Sequence, residues 1–400
     1  MARLYKRKVM GIVIAILALG FIIFIHEFGH FMMAKLFKVP VREFSIGMGP
    51  RVLTKIWNNT RYSLKAFPFG GSCAMIGEDS AGSGDFTEAE DVKIDENGLY
   101  DFDGVKYTKE EIDNNNFSVI SPVKKFFICI SGPAMNFLLA FVLAIFLVQL
   151  VGFDVPVINE VSVDSAAMDA TPIKLQSGDE IIELETPEDK EKVIAYRDIM
   201  IFMQLNNDDF KEKHYPLVIT FNRDGQEYKT LVYPRYNEEE DRVLIGISFK
   251  NIVNRPTNII ETFKMAGKEL YFYVKTTVMS LKLLIRGKLK TRDISGPVGT
   301  VAVMGDAISE ASSNGVGSIF YTLATLIVLI SSNLGVMNLL PIPALDGGRI
   351  VFAAIEMIIG RPIDKNIEGM ANTVTMVLLL IFMVWIFGMD IYKLLSGTLY

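Results

Sequence analysis

Two histidines and a glutamate, His26, Glu27 and His30, stand inside a run of residues that is otherwise apolar. On a helix, positions 26 and 30 share a face, and position 27 lies roughly 100° round from position 26. That spacing offers zinc two neutral nitrogen ligands and holds a carboxylate near a zinc-activated water, whose proton it can take. The pattern is short and occurs by chance in helices that bind nothing, so its setting has to carry the argument. Of the three histidines in the chain, two sit here, in a segment where an unpaired ionisable group costs roughly 2.5 to 3.5 kcal/mol. Residues kept at that cost point to function.

A second group closes a later apolar run: Asn338, Pro341, Pro343, Asp346, Gly347 and Gly348. Read alone, Asp346 with its two glycines is a turn at a helix end. Read with the histidines it is the third ligand, because two histidines, one carboxylate and an open fourth position make a catalytic zinc site. Pro341 and Pro343 break the helix there, which suits backbone lining a polar cavity. Asn136, with Gly132 and Pro133, lies in another apolar run, where kinking and interhelical hydrogen bonding compete with a role at the active site.

The elements that must position these residues are membrane spans. Half of the 400 residues are hydrophobic and 22% are charged, too apolar for an ordinary soluble protein and too charged for a wholly embedded one. A net charge of −6, with no basic stripe interleaved with aromatics, gives no reason to expect nucleic acid as a partner. The two cysteines, Cys73 and Cys129, cannot build a disulfide framework, and thiolate zinc ligation is not expected.

Four apolar runs read as transmembrane helices, at about 9–37, 126–153, 318–340 and 374–389. The first follows Arg3, Lys6, Arg7 and Lys8 but offers no convincing cleavage site, so it is expected to be retained. With four crossings the first and third spans run in the same direction, and their late residues lie at one depth. His26, His30 and Asp346 can therefore meet.

The whole chain divides into a first span with the histidine motif (1–38), a hairpin region (39–77), an acidic insertion (78–118), a second span (119–153), a soluble α+β domain (154–250), an amphipathic segment (251–315), a third span with the aspartate motif (316–349) and a fourth span with the C-terminus (350–400). In the hairpin region, Arg51–Ile56 and Arg61–Phe67 alternate about a turn. Gly70 and Gly71 beside it suit close backbone approach, and an open strand edge near a metal could hold an extended peptide. An interfacial hairpin that only packs is the alternative. The soluble domain shows short strands, a turn at Asp224–Gly225 and a helix at about Tyr196–Leu205. The helix at Phe263–Ile285, followed by Arg286, Lys288, Lys290 and Arg292, either lies on the membrane surface or packs on the soluble domain. Ser295 to Thr300 is read as a loop.

These residues resemble the site-2 protease family of intramembrane zinc metalloproteases, in particular its bacterial branch with a PDZ domain between the second and third spans. The family's H-E-x-x-H is matched by His26, Glu27 and His30, and its N-x-x-P-x-P-x-L-D-G by Asn338, Pro341, Pro343, Leu345, Asp346 and Gly347. Gly132, Pro133 and Asn136 resemble the family's motif in the second span, Pro68, Gly70 and Gly71 its membrane-associated β-loop, and Ser295–Gly299 the loop before the third span. Ser72–Met75 and the long acidic insertion depart from the pattern.

The resemblance implies an α-helical membrane protein of four transmembrane helices, with a membrane-associated β-hairpin and an inserted extracytoplasmic PDZ-like α+β domain. It implies one zinc ion held by His26, His30 and Asp346, with Glu27 as the catalytic base. Substrate would be bound by Asn338, Pro341, Pro343, Gly70, Gly71 and Asn136. Expected substrates are single-span, membrane-anchored proteins such as anti-sigma factors, and remnant signal peptides. The site would face the cytoplasm from a bacterial cell membrane, in contact with the lipid bilayer, with the PDZ-like domain outside as a filter. A non-catalytic membrane scaffold and a metal transporter are the rival readings.

Overall fold

The computed structural model describes residues 2–78, 93–96, 98–249, 253–287 and 295–396. Residues 79–92 and 97 of the acidic insertion and the basic residues Lys288, Lys290 and Arg292 lie outside them. The chain forms two compact units, one of Met1–Leu143 with Tyr273–Tyr400 and one of Ala144–Phe272.

Four described helices are long and apolar enough to cross a membrane: α1 (Ala2–Leu36), α3 (Pro122–Val151), α7 (Val316–Asn338) and α9 (Lys365–Ser396). They are apolar around much of their circumference, with Leu17, Phe21, Leu138, Phe146 and Val384 turned outward. Such faces are satisfied by hydrocarbon rather than by water. Between α1, α7 and helix α6 (Pro297–Ala311) lies a core of Ala15, Ala18, Ile22, Met304, Ile308 and Ile327.

The segment read as a loop at Ser295–Thr300 in fact opens α6. Its turn residues are the helix start: Gly296 caps, Pro297 occupies the first turn, and the Gly296 and Gly299 amides donate to Asp390 of α9 at 3.0 and 2.7 Å. A buried carboxylate there satisfies orphan N–H groups and complements the helix dipole.

After α1, strands β1 (Val41–Trp57) and β2 (Thr60–Met75) pair antiparallel through an Asn58–Asn59 turn. Both asparagines are left-handed, as a two-residue hairpin turn requires. The long strands bend, so that Glu43–Ile46 are flanked by Arg61–Leu64 on one side and by Gly71–Ala74 on the other. Gly70, at φ 86°, makes the bend that turns the chain into this second pairing. Among the described residues nothing pairs with the far edge of Gly71–Ala74.

In the acidic insertion, three short strands β3 (Lys93–Ile94), β4 (Tyr100–Phe102) and β5 (Val105–Tyr107) and helix α2 (Lys109–Asn115) form a module on the hairpin. Tyr107 donates to the Val41 carbonyl at 3.1 Å, and Arg51 bridges Glu43 and Asp103.

In the second unit, β6 (Glu180–Glu185), β7 (Lys190–Lys192), β8 (Leu217–Arg223) and β9 (Gln226–Val232) form a four-stranded sheet in the order β9-β8-β6-β7. Helix α4 (Tyr196–Leu205) buries Ile199 and Phe202 in a core with Ile181, Leu184, Ile219 and Phe221. Helix α5 (Ile259–Ile285) begins in this unit, where Arg197 of α4 pairs with its Glu269 at 2.6 Å and with Asp154 at 2.8 Å.

Candidate metal centre

The late part of α1 carries His26, Glu27 and His30, and α3 passes so close that only glycine fits between them. A Cβ on Gly132 would lie 2.3 Å from His30 Nε2 and 2.9 Å from His26 Cε1. At Ile128, one turn earlier on α3, the carbonyl accepts a hydrogen bond from His30 Nδ1 at 2.8 Å. A carbonyl can only accept, so His30 carries its proton on Nδ1 and turns the Nε2 lone pair inward.

The carboxylate arrives from the other end of the chain. Helix α7 stops at Asn338; Pro341 and Pro343 prevent its continuation, and Ala344 adopts a left-handed conformation at φ 71°. That conformation is held from α9, where the fully buried Asn372 accepts the Ala344 amide at 3.1 Å. Asp346 is then the first residue of α8 (Asp346–Ile359). Two ion pairs hold α8 in place: Arg349 meets Glu78 at the end of β2, and Glu356 meets Lys125 of α3 at 2.9 Å. Burial pushes the Glu78 carboxyl up from its ordinary pKa, and the Arg349 guanidinium opposes that shift.

The result is a triangle of ligand atoms. Asp346 Oδ2 lies 3.1 Å from His26 Nε2 and 3.3 Å from His30 Nε2, and the two Nε2 atoms are 3.2 Å apart. Oδ2 is buried with no hydrogen-bond partner. Around zinc, ligands at about 2.0 to 2.1 Å in tetrahedral arrangement stand about 3.3 to 3.4 Å from one another. The observed edges agree within a few tenths of an ångström, so two imidazole nitrogens and a carboxylate oxygen converge at the spacing that suits a cation among them. The donor set, two imidazoles and one carboxylate, is one that zinc takes in catalytic sites.

A cavity of about 220 Å³ opens on this triangle, lined also by Glu27, Gly71 and Asn338. Gly71 brings the strand edge against Glu27: a Cβ there would come within 3.1 Å of Glu27 Cγ. The Asn338 amide nitrogen lies 3.3 Å from His26 Nε2 and 3.4 Å from Nδ1. Near-equal distances to both ring nitrogens place it over the imidazole face. Pro341 and Pro343 shape the loop and do not line the cavity, while Asn136 is fully buried behind His26.

Sequence reasoning missed the Ile128 carbonyl, which has no side-chain signature, and the Glu78–Arg349 pair. Arg349 left one sign, a second charged residue three positions after Asp346 in an apolar helix. His214, the remaining histidine, ends a short helix in the second unit and is exposed.

The sequence pattern of the family described as Peptidase family M50 matches residues 14–382. A Clostridium acetobutylicum protein, provisionally named a zinc metalloprotease, is 36% identical over 94% of this chain and 95% of its own length. Zinc metalloprotease RasP of Geobacillus kaustophilus is 28% identical over 96% of this chain and 98% of its own. Regulator of sigma-W protease RasP of Bacillus subtilis is 26% identical, covering 95% of this chain and 97% of its own.

Proposed function

The chain belongs to Peptidase family M50 and is a zinc-dependent intramembrane protease of the site-2 type; from that premise we propose which of its residues do the work and on what. His26, His30 and Asp346 hold the zinc, which when bound polarises the scissile carbonyl and activates water for attack. Glu27 accepts the proton released on attack and passes it to the leaving amine. The observation that carries this reading is the triangle of inward-facing ligand atoms with its unpartnered Asp346 Oδ2.

A transmembrane substrate hides its peptide groups in its own helix, so it has to be held unwound. The free edge at Gly70, Gly71 and beyond offers backbone groups to an extended strand within reach of Glu27. Asn338, over the His26 ring, presents an amide to the freed substrate backbone. Pro341 and Pro343 contribute by fixing the loop that borders the bound strand.

The substrates are single-span proteins anchored in the same membrane, of the anti-sigma-factor and remnant-signal-peptide kinds. The hairpin of β1 and β2 is membrane-associated: Val52, Leu53, Ile56, Trp57 and Phe67 are exposed along it. The soluble 154–250 region is the PDZ-like domain, lying outside the cell and screening substrates already shortened there. The zinc site faces the cytoplasmic side of the bacterial cell membrane. Purified protein incubated with single-span candidates tests the reading. The wild type cleaves at least one within its membrane segment, and Glu27→Gln lowers the rate by about 10²-fold or more. Cleavage that survives Glu27→Gln overturns the proposed role of Glu27.

A further inference from the structure

Asn136 sits in the middle of α3 with no exposed surface. Its backbone carbonyl is tied to the Ser331 hydroxyl of α7 at 2.8 Å, which fixes the residue in depth and rotation. Its side-chain nitrogen lies 3.1 Å from His26 Nδ1, and its side-chain oxygen has no partner.

Two nitrogens in contact need one lone pair between them, and the metal triangle decides which atom has it. His26 turns Nε2 toward Asp346 and His30, so Nε2 must keep its lone pair to serve as a ligand, and the ring proton then resides on Nδ1. An N–H group facing an amide NH₂ is repulsive. Turning the Asn136 amide by half a rotation exchanges two groups of nearly equal size and brings Oδ1 onto the Nδ1–H. The His26 tautomer selects between the two orientations.

We propose that Asn136 is the positioning residue of His26: its side-chain oxygen accepts the Nδ1–H and fixes the ring with Nε2 directed at the metal, as the Ile128 carbonyl does for His30. Both imidazoles are then oriented by acceptors eight residues apart on α3, the helix that Gly132 allows against them. Asn136 acts through His26 rather than on substrate, and Asn338, lying over the ring face, is left for the substrate. The inference rests on reading the triangle as a zinc site.

The test uses full-length protein in detergent, with zinc affinity measured by competition against a chromophoric chelator and the visible spectrum recorded after cobalt substitution. Asn136→Leu removes the acceptor at similar volume and is expected to weaken zinc binding about 10- to 100-fold. Asn136→Asp can only accept, and is expected to stay within about threefold of wild type with an unchanged cobalt spectrum. Zinc affinity unaltered in Asn136→Leu overturns the proposal. So does an Asp variant weakened tenfold or more, a comparison that holds even if the Leu variant does not fold. A wild type that takes up no zinc overturns the reading of the site itself, and this inference with it.

Discussion

At the scale of single residues, the proposed ligands and base stand out in the sequence because their chemistry is rare in an apolar context, and in the fold His26, Glu27, His30 and Asp346 all line one cavity. What surrounds them was not, because close approach and backbone acceptors leave no trace in residue type. Gly132 illustrates the gap: in the sequence it is a small residue before a proline, and in the fold its lack of a side chain leaves room for two imidazoles against α3. Gly132→Ala places a methyl group where His30 Nε2 now lies 2.3 Å from the ideal Cβ, and both the histidine and α3 backbone resist moving. Bound zinc, measured by elemental mass spectrometry on the folded protein, is expected to fall at least about tenfold, a loss of the size seen when ligand orientation is disturbed. Full occupancy in this variant contradicts the tight passage of α3 beside the motif.

At the scale of elements, the spans and the hairpin followed from runs and alternation, whereas helices α6 and α8 did not. Both begin at proline- or glycine-rich turns, and what makes them helices lies far along the chain: Asp390 accepts amides more than ninety residues away, and Glu78 pairs with Arg349. The second contact joins the end of β2 to the helix that starts with Asp346, so the strand edge and the proposed metal ligand share one anchor. Glu78→Gln removes the Glu78 carboxylate from a buried ion pair with Arg349, which is expected to cost up to about 3 to 5 kcal/mol. Replacing both by a well-packed apolar pair, Glu78→Leu with Arg349→Met, is expected to recover most of that loss. Thermal unfolding of the three variants checks this: a lowered midpoint in Glu78→Gln, largely restored in the double variant. Equal midpoints throughout contradict an anchoring role for the pair.

At the scale of the whole molecule, the depth argument from four crossings brought together side chains more than three hundred positions apart, and the ligand-capable atoms of His26, His30 and Asp346 do lie within 4.8 Å of one another. Orientation in the membrane is decided by charge and insertion and can be read chemically. Both native cysteines are buried, so single cysteines placed at exposed Lys55 on the hairpin and Glu227 in the second unit report their own side. A membrane-impermeant maleimide applied to intact cells is expected to label Glu227→Cys, and to reach Lys55→Cys only after permeabilisation. The reverse pattern contradicts a cytoplasmic site with the soluble domain outside.

Bound zinc tests the centre of the proposal most directly. Elemental mass spectrometry of purified full-length wild type should find about one zinc per chain, and Asp346→Ala, which removes one of three protein ligands, should lose at least about nine-tenths of it while remaining folded. A wild type without zinc, or an Asp346→Ala variant that keeps its full complement, contradicts a metal centre assembled from the two ends of the chain.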